Sequence, residues 1–140
     1  MRVILDTNVL LSGLISGAGI PARLIEAWLD RRFVLISHLL QIDEIRDVSR
    51  REKIRELIRP AEAGRLVNQI MLVAEMPATL PHVRRSPDPH DDLLPGLCEA
   101  GRAEWLVTGD KNDLLALQRH GITSIITAGT LAEHLGIRKV

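Results

Sequence analysis

The segment that decides the fold is a short apolar run followed at once by polar residues, Val3-Ile4-Leu5-Asp6-Thr7-Asn8. Three further short apolar runs follow along the chain, at 33–36, 105–107 and 124–126. Apolar runs that are continuous rather than alternating are typical of strands covered on both faces, as in parallel sheets. We therefore expect these runs to form the central strands of the domain.

Segments with helical spacing separate the apolar runs. Pro21 and Pro60 each open a helix with one apolar stripe, and further helices are expected at 38–50, 92–100, 112–119 and 130–135. Gly121 and Gly136 are expected to end the last two. Strands that alternate with helices predict an α/β fold, here a three-layer α/β/α sandwich around a mainly parallel sheet of four to five strands.

The composition is that of an ordinary globular domain. The chain has 140 residues, 46% of them apolar, with 18 basic and 18 acidic side chains. We expect a single domain over residues 1–140, in the cytoplasm and away from membranes, because no signal peptide pattern and no apolar run of about 20 residues is present. The balanced charge excludes a strong global field for nucleic acid but leaves room for a local basic patch. Cys98 has no partner cysteine and is expected to be a small buried residue.

Several carboxylates follow predicted strands or precede predicted helices. In a parallel sheet, functional residues typically lie at the carboxyl ends of the strands. Asp6 follows the first run, and Asp110 and Asp113 follow the run at 105–107. Asp91 and Asp92 stand at the start of the helix expected at 92–100, and the helix at 38–50 carries Asp43 and Glu44. Helical phase alone does not choose between Asp43 and Glu44.

Each of these acids has an ordinary explanation on its own. Asp6 suits the N-cap of a following helix, and Asp91 and Asp92 suit a helix N-terminus. Together at one sheet edge they would repel one another unless a cation lay among them. An oxygen-only ligand set favours Mg²⁺ or Mn²⁺. None of the five histidines has a metal-ligand spacing, and His90 is expected on a surface loop.

Four segments together resemble the PIN-domain nucleases, and in the same order. They are Asp6-Thr7-Asn8 after a short strand, Glu44-Ile-Arg-Asp-Val, Asp88-Pro-His-Asp-Asp-Leu-Leu and Val107-Thr-Gly-Asp-Lys-Asn-Asp-Leu-Leu. More narrowly, the chain from Arg2 to Leu135 is similar to the VapC-like PIN-domain toxins of bacterial toxin–antitoxin systems. The segment at 37–42 is one residue longer than in the family, and Pro95-Gly96 replaces small helix formers.

This resemblance implies a Mg²⁺- or Mn²⁺-dependent endoribonuclease. The catalytic acids of the PIN-domain nucleases correspond to Asp6, Glu44, Asp91 and Asp110, which would be both catalytic residues and metal ligands. The resemblance also selects Glu44 over Asp43. The accessory positions are Thr7, Asn8, Thr108, Asp113 and Asp92, the last as a substitute for Asp91. Expected partners are RNA, a cognate antitoxin protein and a second copy of the chain in a homodimer, for which the apolar residues at 10–15 and Ile20 offer a surface.

Substrate binding would need positive charge, and the sequence has two local concentrations of it. Residues 46–59 hold six basic and three acidic side chains, and Arg84-Arg85 lies in a Pro-rich stretch expected to be a loop. The candidates for phosphate contact are Arg50, Arg51, Lys53, Arg84 and Arg85. An equally ordinary interpretation is a solvated helix face with exposed ion pairs.

Two other functional classes remain open from the residues alone. An Asp at the end of a first parallel strand is also where aspartate-based phosphatases and phospho-acceptor domains carry their nucleophile. However, Asn8 stands where phosphatases of the haloacid type have a second Asp. A non-catalytic RNA-binding module of the same fold is the third hypothesis. Loss of metal-dependent RNA cleavage on Asp6→Asn separates the first hypothesis from both others.

Overall fold

The computed structural model describes residues 1–78, 93–109 and 118–137. Within these ranges five strands form one sheet in the order β2-β1-β3-β5-β4. Every neighbouring pair is parallel except β4 with β5. The predicted α/β fold with a mainly parallel sheet is therefore confirmed. The strands are β1 (Arg2–Leu5), β2 (Val34–Leu35), β3 (Trp105–Val107), β4 (Arg119–His120) and β5 (Thr123–Ile126).

Helices connect the strands. In the described ranges they are α1 (Thr7–Ile15), α2 (Ile20–Leu29), α3 (Leu39–Ser49), α4 (Glu52–Arg55), α5 (Pro60–Val73), α6 (Leu93–Gly101) and α7 (Ala128–His134). Pro60 opens α5 as predicted, because the first turn of a helix does not need the N–H that proline lacks. Pro95 is tolerated for the same reason, since it is the third residue of α6.

The sheet is covered on both faces, which explains its continuous apolar strands. Val3 and Leu5 of β1 belong to a large core shared with helices α1, α2, α3, α5 and α7. Ile4, which points to the opposite face, packs with Leu97 of α6. These three residues of β1 are fully buried. The chain therefore forms the expected three layers, with α6 on one side of the sheet and the other packed helices on the other side.

The packing of α1 on α2 depends on a glycine. A Cβ atom at Gly13 would lie 2.6 Å from the Cδ1 atom of Ile25 and 3.2 Å from the backbone nitrogen of Ala22. A side chain at this position would require the Ile25 side chain and the backbone of α2 to move, so glycine favours the close approach of the two helices. Leu10 and Leu11, which the sequence offers for a dimer surface, are buried in the core, whereas Ile15 at the end of α1 is exposed.

The helix predicted at 112–119 does not extend to Arg119, so the predicted carboxyl end of this helix is wrong. Arg119 lies in β4, which pairs antiparallel with β5 through His120 and Thr123. The two residues between those strands make a hairpin turn, and Gly121 has the positive φ of 59° that such a turn requires. Gly121 therefore marks a hairpin rather than a helix end, while Gly136, with φ of 70°, follows α7 as predicted. The remainder of that predicted helix, 112–117, is outside the described residues.

The basic stretch at 46–59 is divided between two helices. α3 ends at Ser49, and the short α4 holds residues 52–55 before α5 begins at Pro60. Most of the Pro-rich stretch lies at 79–92, outside the described residues. In the part of the chain that the structure describes, no single helix is long and apolar enough to cross a membrane. α1 and α2 reach that length and apolar content only when they are taken as one segment, and the angle between them is 103°.

Candidate functional site

Asp6 is the first residue after β1 and stands immediately before α1. It occupies the N-cap position of α1, yet its side chain makes no capping hydrogen bond there. Its carboxylate atom Oδ2 instead accepts a hydrogen bond from the Thr108 hydroxyl at 2.8 Å. Its backbone N–H donates to the Val107 carbonyl at 2.9 Å. The ordinary explanation of Asp6 as a helix cap therefore does not describe what its side chain does.

Thr108 reaches Asp6 because β1 and β3 are parallel neighbours in register. Leu5 is aligned with Val107, so the next residue of each strand falls at the same sheet edge. Thr108 is fully buried, and its backbone N–H donates to the Ile126 carbonyl of β5 at 3.0 Å. The hydroxyl is thus held at a fixed place, and it orients one oxygen of the Asp6 carboxylate.

The other two polar residues predicted beside Asp6 differ in exposure. Thr7 is 1% exposed, whereas Asn8 is exposed on α1. The Thr7 hydroxyl accepts a hydrogen bond of 3.4 Å from the Gln41 side chain of α3. Thr7 therefore links the end of β1 to a second helix, a role that differs from that of Thr108.

Gln41 is a buried polar residue that sequence reasoning missed. Its Nε2 donates to the Leu5 carbonyl at 2.8 Å, and its Oε1 accepts from the Ser37 hydroxyl at 2.6 Å. Both Gln41 and Ser37 are fully buried. The signal in the sequence was a glutamine among the apolar residues Leu40, Ile42 and Ile45 of a helix, four residues after Ser37. The Gln41 side chain ties the first turns of α3 to the last residue of β1.

The position of Gln41 distinguishes the two acids in the middle of α3. Glu44 is three residues after Gln41, so the two side chains lie on neighbouring positions of the same helix face. Glu44 is half-buried and Asp43 is exposed. Gln41 contacts the last residue of β1, so Glu44 lies next to the helix face that contacts this strand. The choice of Glu44 over Asp43 as the functional acid stays a prediction.

The other predicted acids, Asp91, Asp92, Asp110 and Asp113, lie outside the described residues, as do Arg84 and Arg85. Their chain neighbours are described. Leu93, which follows Asp92, is 2% exposed and belongs to the same apolar cluster as Ile4 of β1. Gly109, which precedes Asp110, follows the buried Thr108 at the end of β3.

The donor set of the described site suits a hard cation. Asp6 and Glu44 offer carboxylate oxygens, and Thr108 and Thr7 offer hydroxyls, all of them oxygen atoms as Mg²⁺ and Mn²⁺ prefer. In residues 1–78, 93–109 and 118–137 no group of three or more His, Cys, Asp or Glu side chains is close enough to hold a metal ion. A complete ligand set therefore requires acids from outside these ranges.

The described histidines have structural partners. The His38 Nδ1 atom caps α3 by accepting from the Leu40 N–H at 3.1 Å. His120 pairs with Glu99 at 3.0 Å, and His134 stacks on Trp105 with ring centroids 4.6 Å apart. Cys98 is 1% exposed, as expected for a structural residue. Each of the three described histidines therefore has a contact within the protein.

The basic candidates separate into two sets. Arg50 lines a groove of about 260 Å³ between α3, α4 and α5, together with Arg46 and Arg55. Arg51 and Lys53 are exposed and are not part of that groove. The structure therefore brings together three arginines of the basic stretch, but not the three residues that the sequence singled out there.

Comparison with known proteins gives one family. The model of the PIN domain matches residues 2–112, which contain β1 to β3, Asp6, Glu44 and Thr108. Comparison with curated proteins and with solved structures gave no match.

Proposed function

Because the chain belongs to the PIN-domain family, whose members are typically nucleases, we propose that it is a divalent-metal-dependent endoribonuclease. The family membership supports a nuclease-type hydrolase in general. The narrower proposal, RNA cleavage with Mg²⁺ or Mn²⁺, comes from the resemblance of the four motifs. The observation that best supports a functional role for Asp6 is the hydrogen bond from the Thr108 hydroxyl to its carboxylate, where a capping bond was the ordinary alternative.

The proposed metal ligands are Asp6, Glu44, Asp91 and Asp110. Two facts about their chain neighbours support this set: Leu93 packs with Ile4 beneath β1, and Thr108 contacts Asp6. Asp92 is the substitute for Asp91, and Asp113 is an accessory to Asp110. A divalent ion held by these oxygens would activate the attacking water and stabilise charge on the leaving oxygen.

The chain's own residues would position the reactants. Thr108 holds one oxygen of Asp6, which gives the other oxygen of that carboxylate a defined direction. Gln41 and Ser37 hold α3 against the end of β1, which would keep Glu44 near Asp6. Thr7 is part of this hydrogen-bonded network and acts on the site through Gln41. Hydrogen bonds of this kind fix the orientation of ligand side chains and commonly affect metal affinity.

A narrower proposal concerns biological role: the chain is the toxin of a toxin–antitoxin pair, acting in the cytoplasm as a homodimer and neutralised by a cognate antitoxin. It rests on the four motifs that contain Asp6, Glu44, Asp91 and Asp110. Growth arrest on induced expression, absent in Asp6→Asn, would support it. Normal growth with active, soluble protein would contradict the toxin role without touching the ribonuclease.

The proposed activity is tested by incubating the purified chain with a mixed single-stranded RNA pool in Mn²⁺, in Mg²⁺ or in EDTA. We expect fragments only with metal, and none from Asp6→Asn. Asp30→Asn, a change at an exposed acid at the carboxyl end of α2, is the matched control and should cleave normally. Cleavage that persists in EDTA or in Asp6→Asn would overturn the proposal.

Metal binding is measured separately from cleavage. A cation that binds only the folded site raises the melting temperature by linkage, and Mn²⁺ should do so for the wild type and for Asp30→Asn but not for Asp6→Asn. Hydrolysis of a phosphomonoester in place of RNA would assign Asp6 to the phosphatase alternative. Metal binding without either reaction would leave the non-catalytic RNA-binding alternative.

A further inference from the structure

A groove lined by arginines lies between the carboxyl end of α3, the short α4 and the first turns of α5. Its volume is about 260 Å³, and its polar lining consists of Arg46, Arg50, Arg55, Ser49 and Asn68. Among the described residues, the lining contains no acidic and no aromatic side chain. Typical small-molecule pockets measure about 300–1,000 Å³, so this groove suits a single anionic group better than an enclosed organic ligand.

The three guanidinium groups form no ion pair with a carboxylate in the described part of the chain. Among the ion pairs within residues 1–78, 93–109 and 118–137, none involves Arg46, Arg50 or Arg55. Glu52 and Glu56 line a neighbouring cavity, which shares Arg55 and Pro60 with the groove. Like charges gathered in one groove repel one another, and an anion placed among them relieves that repulsion.

The carboxyl end of a helix favours positive charge by itself, which could account for Arg46 and Arg50 at the end of α3. Arg55 is the last residue of α4, where the same effect applies over only four residues. The helix-end effect does not explain why arginines from two different helices line one groove. The amino end of α5 also lies at the groove, since Pro60 is part of its lining. The partial positive charge at the start of that 14-residue helix adds to the attraction for an anion.

Gly64 supplies an independent observation. It lies inside α5, where glycine costs stability relative to alanine, and it lines the groove. A Cβ atom built there meets no atom of the described chain within 4 Å, so packing against those residues does not explain the glycine. The space in front of Gly64 is therefore open to a ligand and would be narrowed by a larger side chain.

The groove and the Asp6 edge lie on different sides of α3. Arg46 and Arg50 are rotated from Glu44 by about 200° and 240° around the helix, and Arg50 is about 9 Å further along the axis. A group bound in the groove therefore cannot be the phosphate that is cleaved at the Asp6 edge. An extended RNA strand that passes the end of α3 could reach both the groove and Asp6.

We infer that this groove binds a backbone phosphate of the RNA substrate, away from the scissile bond. Arginine suits this role because its planar guanidinium pairs with two oxygens of a phosphate. Because no described lining residue is aromatic and able to stack on a base, the groove contacts the backbone and carries no base preference. The inference rests on the proposed function, since it assumes that RNA is the substrate.

Binding is measured in EDTA, where cleavage does not interfere, by the fluorescence anisotropy of a labelled single-stranded oligoribonucleotide over a salt series. The double variant Arg46→Ala/Arg50→Ala should bind at least about fivefold more weakly, and its salt slope should be lower by roughly 0.7 for each phosphate that it no longer binds. Gly64→Glu, which places a negative charge in the groove, should weaken binding to a similar degree. Arg65→Ala, an exposed change beside Gly64 but outside the lining, is the matched control and should bind normally.

Two further readouts separate this inference from the proposed function. The Mn²⁺-induced rise in melting temperature should be unchanged in the groove variants, and Asp6→Asn should keep its RNA affinity in EDTA. Wild-type RNA affinity in both folded groove variants would overturn the inference that the groove binds RNA, without contradicting the proposed ribonuclease activity. Groove-dependent RNA binding in a chain that never cleaves RNA would support the groove and contradict the ribonuclease. Groove-dependent binding of poly-glutamate in place of RNA would assign the groove to an acidic protein partner and overturn the inference.

Discussion

Thr108 donates its hydroxyl hydrogen to the Oδ2 atom of Asp6 at 2.8 Å, across 102 residues of sequence. The contact exists because Leu5 and Val107 are paired in adjacent parallel strands, so the residues that follow them share one edge. It gives Asp6 a partner that a helix cap would not need. Removing the Thr108 hydroxyl should therefore affect the site more than the fold.

Thr108→Val removes the hydroxyl and keeps the shape of a buried side chain. Partners that orient a metal ligand typically contribute about 10–100-fold to metal affinity or activity, so the reduction in RNA cleavage should fall within this range. Thr123→Val is the matched control, because Thr123 is also a buried threonine whose hydroxyl makes a 2.7 Å bond, to the Ala103 carbonyl. Cleavage rates and Mn²⁺ titrations measure the difference; equal losses in both variants would mean that the effect is only on stability.

Glu44→Gln should reduce cleavage by at least about tenfold, as for the loss of roughly 1.4 kcal/mol of transition-state stabilisation. Asp43→Asn should retain most activity, because Asp43 is exposed while Glu44 is half-buried on the face that carries Gln41. Both variants are compared as folded proteins in single-turnover cleavage assays. The reverse order of activities would show that Asp43 is the functional acid of α3.

Gln41→Leu should destabilise the fold by about 2–3 kcal/mol, because it deprives the buried Ser37 hydroxyl and the Leu5 carbonyl of a partner. Denaturant unfolding measures the loss. Cleavage by the folded fraction should also fall, since α3 would no longer be tied to the end of β1. A stability equal to that of the wild type would mean that the Gln41 hydrogen bonds are replaced by water.

Alanine substitutions at two helical glycines should have opposite effects. Gly64→Ala should stabilise the chain by about 0.5–1 kcal/mol, the usual gain inside a helix, because its Cβ would meet no atom of the described chain within 4 Å. Gly13→Ala should destabilise it, because the new Cβ would lie 2.6 Å from the Cδ1 atom of Ile25 and 3.2 Å from the backbone of Ala22. Thermal unfolding of both variants tests the signs, and two changes of the same sign would refute this packing.

The buried Cys98 thiol should make the free energy of unfolding fall at alkaline pH. Burial raises the pKa of its thiol from the ordinary 9.0 to about 11, opposed by a hydrogen bond with Thr123 and assisted by the Glu99 carboxylate. Between these two pKa values the unfolded chain binds fewer protons than the folded one, so stability falls as the pH rises from about 9 to about 11. Denaturant unfolding over this range should show a smaller fall for Cys98→Ala. The native thiol should also resist alkylation until the chain unfolds, because only the exposed thiolate reacts.

The sequence by itself determined the layers of the fold, and it predicted the acids of the candidate site. Runs such as Val3-Ile4-Leu5 are apolar without alternation because both faces of the sheet are covered, so local composition reports the tertiary environment directly. Pro60 and the apolar stripe after it likewise fixed α5, since a proline start and helical spacing are local properties. The order of the motifs around Asp6 and Glu44 was enough to indicate the family.

The tertiary structure alone decided relations that join distant parts of the chain. Whether Asp6 caps its helix or bonds to Thr108 depends on the pairing of β1 with β3, which no local pattern specifies. Helical phase left Asp43 and Glu44 equal, and their exposures differ because Gln41 anchors one face of α3 to β1. Gly121 can end a helix or form a hairpin turn, depending on whether the residues before it pair with another strand. Here the residues before it form β4, which pairs with β5. Arg46, Arg50 and Arg55 share one groove only because α3 and α5 pack beside each other, a contact between helices that their separate sequences do not encode.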